Sequence, residues 1–364
     1  MKLNRFGSAA IIAVAGTMLL SSCAANEGGA TPSTDASALS GNLVGAGSSA
    51  VGAAQTTWIS GFQTANDGVT VTYDPSGSGA GREAFLAGGV DFAGSDRAFN
   101  DEEIAAGGWG SCAPDSGIVQ LPLYISPIAV IFNLEGIDTL NMSAATIAGI
   151  FAGTITTWND PAIVAENEGV ELPTTSITAV HRSDDSGTTE NFTDYLASAA
   201  PEVWTNEADG VWPTGTTNEA AQGTSGVVDA VTAGTGTIGY ADASRAGELG
   251  TVSVLVNEEY VPYSAEAAAA IVDASPFVEG RPDFDLSLEL DRTPDAADTY
   301  PVVLVAYLIG CETYADPEKA ALVKEYFTYM ASEEGQAAAA ADAGSAPISS
   351  ALFKRVTSAI DVIG

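Results

Sequence analysis

Apolar and polar positions change texture along the chain. Residues 9–20 are an apolar run, residues 24–40 (AANEGGATPSTDASALS) are small and polar with no apolar period, and from Gly41 short apolar runs alternate with helix-like stretches. The alternation opens with Asn42-Leu43-Val44-Gly45 and a stretch carrying Val51, Trp58 and Phe62. Val69 to Tyr73 then reads as a strand, a second helix-like stretch carries Phe85 and Leu86, and Asp91-Phe92-Ala93-Gly94 is a short strand. Strands and helices in strict alternation predict an α/β domain with a largely parallel sheet.

Further on, Ile118 to Asn133 (IVQLPLYISPIAVIFN) is long and extended in character, and Tyr300 to Ile309 is a second long apolar strand. Between them, residues 146–165 predict short helices broken at Asn159-Asp160-Pro161. Ser176 to Arg182, Thr237 to Tyr240 and Val252 to Val256 predict strands, and Thr188 to Leu196 a helix with Phe192, Tyr195 and Leu196 on one side. Pro317 to Ala331 and Ile348 to Ile363 predict closing helices, and no segment repeats. Two long strands are what a chain needs to cross from one lobe to another and return. The expected division is a discontinuous domain I (41–123 and 303–364) and an inserted domain II (124–302).

The start of the chain reads as an export signal. Lys2 and Arg5 precede the apolar run, which is too short to span a bilayer and ends at Leu20-Ser21-Ser22-Cys23. This resembles the bacterial lipoprotein signal, which implies a signal peptide over 1–22, lipidation of Cys23, and a flexible tether over 23–40. An ordinary signal peptide with an incidental cysteine is the other reading. A cut before Cys23 leaves 342 of the 364 residues, enough for two domains at about 150 residues each.

Composition then narrows the field. The exported chain carries ten basic residues against 47 acidic ones, a net of −37, which excludes nucleic acid as a partner. It does not exclude a small anion, because surface charge is screened over about 8 Å while a buried ligand feels nearby donors. Two cysteines remain, Cys112 and Cys311. Outside the cytoplasm a disulfide between them is expected, with two buried thiols as the alternative.

Three Gly-rich polar clusters each precede a helical pattern: Gly45-Ala46-Gly47-Ser48-Ser49, Ser76-Gly77-Ser78-Gly79-Ala80-Gly81, and Asp184-Asp185-Ser186-Gly187-Thr188-Thr189. A helix start presents unpaired N–H groups and a partial positive charge. Glycine admits an anion to the backbone and Ser or Thr adds a hydroxyl, so each cluster can cradle an anion or simply cap its helix. None is a Walker A loop, since no Gly-Lys-Ser/Thr follows. Arg182 lies just before the third cluster and can fork onto an oxyanion. Asp96 ends the short strand. A carboxylate beside an anion is repulsive unless the ligand has a proton to donate, which hydrogen phosphate has and sulfate lacks.

In those segments the chain resembles the phosphate-binding protein of the bacterial phosphate-specific ABC transporter. The similar stretches are Leu43 to Ser49, Tyr73 to Gly81 (YDPSGSGAG), Val90 to Asp96 (VDFAGSD), Thr157 to Pro161 (TWNDP) and His181 to Thr189 (HRSDDSGTT). The resemblance implies a two-lobed type II periplasmic-binding-protein fold, with mixed, mostly parallel sheets, flanking helices and two hinge strands. It implies phosphate contacts from Ser48, Ser49, Ala50, Ser78, Asp96, Arg182, Ser186, Gly187 and Thr188, with Asp184 orienting Arg182. It further implies a lipid-anchored, extracytoplasmic receptor that delivers inorganic phosphate to a membrane permease, touches the membrane through its anchor only, and uses no cofactor or metal. Ala50 stands where an aromatic residue is common in the family and Asp185 where Gly is common; Asp185 is expected to face solvent. Arg82 and Arg97 are read as structural or steering charges, and His181 as a strand histidine with a structural hydrogen bond.

Three other readings compete. One is a phosphatase or other hydrolase, for which a single His and no nucleophile elbow leave little chemistry. Another is a receptor for a sulfate-like oxyanion, which Asp96 opposes if it faces the ligand. The third is a surface interaction protein that merely keeps the fold.

Overall fold

The computed structural model describes residues 39–215 and 218–364. The expected signal peptide, Cys23 and most of the tether lie outside the described residues. In chain order the first half runs β1 (Ser40–Gly47), α1 (Gly52–Ala65), β2 (Gly68–Asp74), α2 (Ser78–Leu86), β3 (Phe92–Ser95), α3 (Asp101–Ala106), β4 (Ile118–Phe132), β5 (Thr139–Met142), α4 (Ala144–Phe151), α5 (Pro161–Glu166) and β6 (Thr178–Arg182). Then come α6 (Gly187–Ala199), β7 (Glu219–Ala221), α7 (Gly223–Ala233), β8 (Thr237–Asp242), β9 (Gly250–Val256), β10 (Glu259–Val261), α8 (Ala265–Ala274), β11 (Val303–Cys311), α9 (Pro317–Ala331), α10 (Glu333–Ala343) and α11 (Ser350–Asp361).

The sheet runs β2-β1-β3-β11-β4-β8-β6-β7, with β9 branching from β4 to β5 and β10. Its flanks are parallel: β1 with β2 and β3, and β6 with β7 and β8. The middle is antiparallel, where β11 pairs with β3 and β4, and β4 with β8. Both long apolar runs of the sequence are therefore central strands, buried along their whole length. This explains why they read as continuous apolar stretches without alternation.

β4 serves both flanks. It pairs with β11 as far as Pro127 and with β8 from Ile128 onward. Proline lacks the N–H a central ladder needs and is confined to edges and bulges. Pro122 sits where the register slips between Ala306 and Tyr307, and Pro127 where the partner changes. The two prolines thus occupy interruptions of the ladder.

Helices cover the sheet with the faces their apolar spacing dictates. α1 buries Ala54, Trp58 and Phe62, one residue per turn. The Trp58 indole, fully buried, donates to the Gly335 carbonyl at 2.7 Å and sets its ring edge-on to Tyr124. Cys112 and Cys311 are joined in a disulfide, which ties the loop after α3 to the end of β11. Among the described residues no helix is long and apolar enough to cross a membrane.

Candidate anion-binding site

Each of the three clusters opens a helix. The first leads from β1 into α1, the second begins α2, and the third leads from β6 into α6. Their meeting point is Asp96, which is 3% exposed at the end of β3. The Asp96 N–H donates to the Ser78 hydroxyl at 3.1 Å, and the Thr188 hydroxyl donates to Asp96 Oδ2 at 2.9 Å. A Cβ on Gly187 would come within 2.7 Å of Asp96 Cβ and 2.8 Å of Ser78 Oγ. Only a glycine lets the start of α6 approach this closely. Thr188 of the third cluster thus meets Asp96, 92 positions away in sequence, and Ser78 of the second shares that buried point.

Burial pushes the Asp96 carboxyl above the ordinary carboxylate range. The nearby Ser48 hydroxyl, the Thr188 hydrogen bond, and the positive charges of Arg182 and Arg97 act against that rise. Oδ1 is buried and finds no hydrogen-bond donor among the described residues. A buried acceptor without a donor is costly, so this atom is suited to a group that brings its own proton.

Arg182 is buried at the end of β6. Its Nε donates to Asp184 Oδ1 at 2.8 Å and a terminal nitrogen to Oδ2, a forked pair that fixes the guanidinium plane. Burial favours the neutral Asp184 carboxyl, but Arg182 and the Gly223 N–H outweigh it and hold the group below its ordinary range. Asp184 and Arg182 are thus paired, and a role for Asp184 in orienting Arg182 toward a ligand is part of the proposal below.

The remaining expected residues divide. The Ser48 hydroxyl accepts from the Ala50 N–H at 3.1 Å, and the Ser48 carbonyl accepts from Tyr73 OH at 3.0 Å. The Ser186 hydroxyl accepts from the Thr189 N–H, which makes it the N-cap of α6. Ser49 turns toward α7, where its hydroxyl accepts from the Thr224 N–H at 3.1 Å and lies 3.0 Å from the Thr224 hydroxyl.

Asp185 departs from expectation. It does not simply face solvent but pairs with Arg97, at 2.8 Å, beside a second pair between Arg97 and Glu190. Arg82 pairs with Glu103, donates to the Ala98 carbonyl and lies 4.0 Å over the Phe99 ring. His181 holds the Arg182 carbonyl at 2.8 Å through Nδ1 and stacks on Trp212. Both fit the structural roles expected of them.

Four contributors escaped the sequence reading. Tyr73 props Ser48. Asn191 donates to the Asp96 carbonyl at 2.6 Å and to the Gly187 carbonyl at 2.9 Å. Tyr240 OH accepts from the Arg182 N–H and meets the Thr189 hydroxyl at 2.7 Å. Thr224 belongs to Gly223-Thr224-Ser225-Gly226 at the start of α7, a fourth cluster of the kind already singled out, and that signal was available. A cavity of about 890 Å³ borders the site, lined by Asp96, Arg97, Glu190, Asn191, Arg281 and Arg292 among others.

The PBP superfamily domain matches residues 31–334. Phosphate-binding protein PstS 3 of Mycobacterium tuberculosis is 34% identical and that of Mycobacterium leprae 32% identical, each comparison covering 100% of both chains. Among solved structures, a high-affinity periplasmic phosphate-binding protein with bound phosphate is similar at a TM-score of 0.70 and 26% identity, over 87% of this chain and 93% of that one. A phosphate-binding protein of Stenotrophomonas maltophilia shares the fold at a TM-score of 0.67 and 20% identity, over 88% and 94%. Fold and site together define a type II periplasmic solute-binding protein. The chain belongs to the PBP superfamily and, within it, to the PstS phosphate-binding proteins.

Proposed function

We propose that the chain is an extracytoplasmic receptor that binds inorganic phosphate and delivers it to the permease of an ABC importer. It is a solute receptor and not an enzyme. The observation that carries the ligand is the buried Asp96 carboxylate, whose Oδ1 finds no donor among the described residues, set among hydroxyls and helix starts near the oriented Arg182. Hydrogen phosphate can donate its proton to Asp96 while its other oxygens accept from the Ser78 hydroxyl, Arg182 and backbone N–H groups of the helix starts, that of Thr188 among them, since the Thr188 hydroxyl is committed to Asp96. Sulfate has no such proton. Its oxygen would face a buried carboxylate, at a cost on the order of several kcal/mol.

Ser48, Ser49, Ala50, Ser186 and Gly187 complete the proposed contact set. Ser49 would have to turn from Thr224, and Ser186 would act through its position at the α6 start. In this reading the chain has two lobes, 41–123 with 303–364 and 124–302, which close on the ligand by bending where β4 changes partner and where β11 begins. Closure excludes water and strengthens each contact to the anion. Lipidation of Cys23 would hold the receptor at the outer face of the membrane.

Isothermal titration of the purified protein with phosphate and with sulfate tests the ligand. Tight, saturable phosphate binding with sulfate silent is expected, and equal binding of the two anions would overturn the selectivity argument. Replacing Cys23 with Ser and following the protein from membrane to medium tests the anchor.

A further inference from the structure

The cluster of Arg97, Asp185 and Glu190 beside the site has no role in the ligand set above. Arg97 follows Asp96 directly, while Asp185 and Glu190 belong to the β6–α6 connection and the first turn of α6. In the proposed division the two pairs join one lobe to the other.

The cluster is built into the fold. A Cβ on Gly79 would lie 2.4 Å from Asp185 Cγ, and one on Gly210 would lie 2.2 Å from Asp185 Oδ1 and 2.7 Å from an Arg97 nitrogen. Two glycines from distant segments therefore make room for this carboxylate. The backbone joins as well: the Gly79 N–H donates to the Asp185 carbonyl at 3.1 Å, and the Ser186 N–H to the Gly210 carbonyl at 2.9 Å.

Its charges do not suit an anion-contacting role. Both terminal nitrogens of Arg97 are taken by carboxylates, and two acids on one base leave the cluster negative. It offers an anionic ligand no net attraction. What it does offer is a set of contacts that exist only while the two segments are together. The side chains are 21% (Arg97), 37% (Asp185) and 31% (Glu190) exposed, and Arg97 and Glu190 line the cavity. Salt and water reach the pairs, so each is weak and reversible.

We propose that Arg97, Asp185 and Glu190 form an electrostatic latch across the cleft that holds the phosphate-bound form shut and sets the rate of release. The inference rests on the phosphate-receptor reading and its two-lobe division. Contacts made only after closure act on departure rather than on encounter.

The test is a chase of labelled phosphate from the full protein, at low and high salt, for wild type, Asp185→Asn, Arg97→Gln and the double variant. Asp185→Asn keeps the shape of the side chain. We expect each single variant to release phosphate roughly three- to tenfold faster, as loss of a partly exposed pair of about 1 kcal/mol implies, with the association rate within about twofold of wild type. The double variant should be no faster than Arg97→Gln. Raising salt should speed release from wild type and leave Arg97→Gln unmoved. Release rates equal to wild type at both salts would overturn the latch alone. A wild-type protein that fails to bind phosphate would overturn the receptor reading and the latch with it.

Discussion

The Thr188 hydroxyl donates to the Asp96 carboxylate at 2.9 Å, and this bond joins the start of α6 to the end of β3. It uses Oδ2, and among the described residues Oδ1 has no donor. One oxygen of the carboxylate is thereby anchored and the other is available to a protonated ligand.

Replacing Asp96 with Asn turns an acceptor-only group into one that also donates. Sulfate binding should become measurable. Phosphate should bind about 10- to 100-fold more weakly, the scale of one hydrogen bond to a charged group. Competition titration of the two anions reads the ratio, and an unchanged phosphate-to-sulfate preference would remove Asp96 from the selectivity mechanism.

Arg182 and Asp184 are a forked pair with Arg182 buried. Arg182→Ala removes the cation from the site and leaves the Asp184 carboxylate without its partner, so affinity should fall by at least about tenfold. Arg182→Lys keeps the charge but not the fork and should recover only part of the loss. Titration calorimetry on the three proteins checks this, and wild-type affinity in Arg182→Ala would place the ligand elsewhere.

Asp242 ends β8 in full burial, where Tyr124 and Ser244 hydroxyls and the Ser244 N–H bond to its carboxyl. Burial lifts its pKa to about 6, above an ordinary value of 3.8, although the hydrogen bonds of Ser244, Ser126 and Tyr124 pull the other way. The folded state therefore holds this proton more tightly than the unfolded state. Its stabilising contribution is complete below about pH 4 and is lost as pH rises through about 6. The shift caps the effect at about 3 kcal/mol. Asp242→Asn cannot ionise, so its melting temperature relative to wild type should rise between pH 4 and pH 7. A constant difference across that window would show that Asp242 does not titrate there.

The disulfide closes a separation of 199 residues. A Cys112→Ser/Cys311→Ser double variant, or wild type under reductant, should lose roughly 2–5 kcal/mol of stability. Calorimetric melting measures it, and an unmoved transition would mean that the bond constrains nothing the rest of the fold does not.

The α/β order, the two long central strands, the three polar helix starts, and the pairing of Arg182 with Asp184 were legible because each is a local pattern or a short-range contact. α10, Glu333–Ala343, escaped a reading based on apolar period: it is so rich in alanine that no apolar face stands out, and helix propensity, the Ser332 N-cap and the left-handed Gly344 at its end make it a helix. Asp185 shows the limit most clearly. Repulsion from a bound anion suggested an outward carboxylate, but Arg97, 88 positions away, and the space left by Gly79 and Gly210 turn it into a paired one. Likewise the Ser49 hydroxyl is claimed by Thr224, 175 positions away, and the Asp96 carbonyl by Asn191. Residue type and spacing dictate which groups are available at a helix start. Which of them meet depends on strand order and on where glycines let backbones close up, and those are properties of the assembled sheet rather than of any window of sequence.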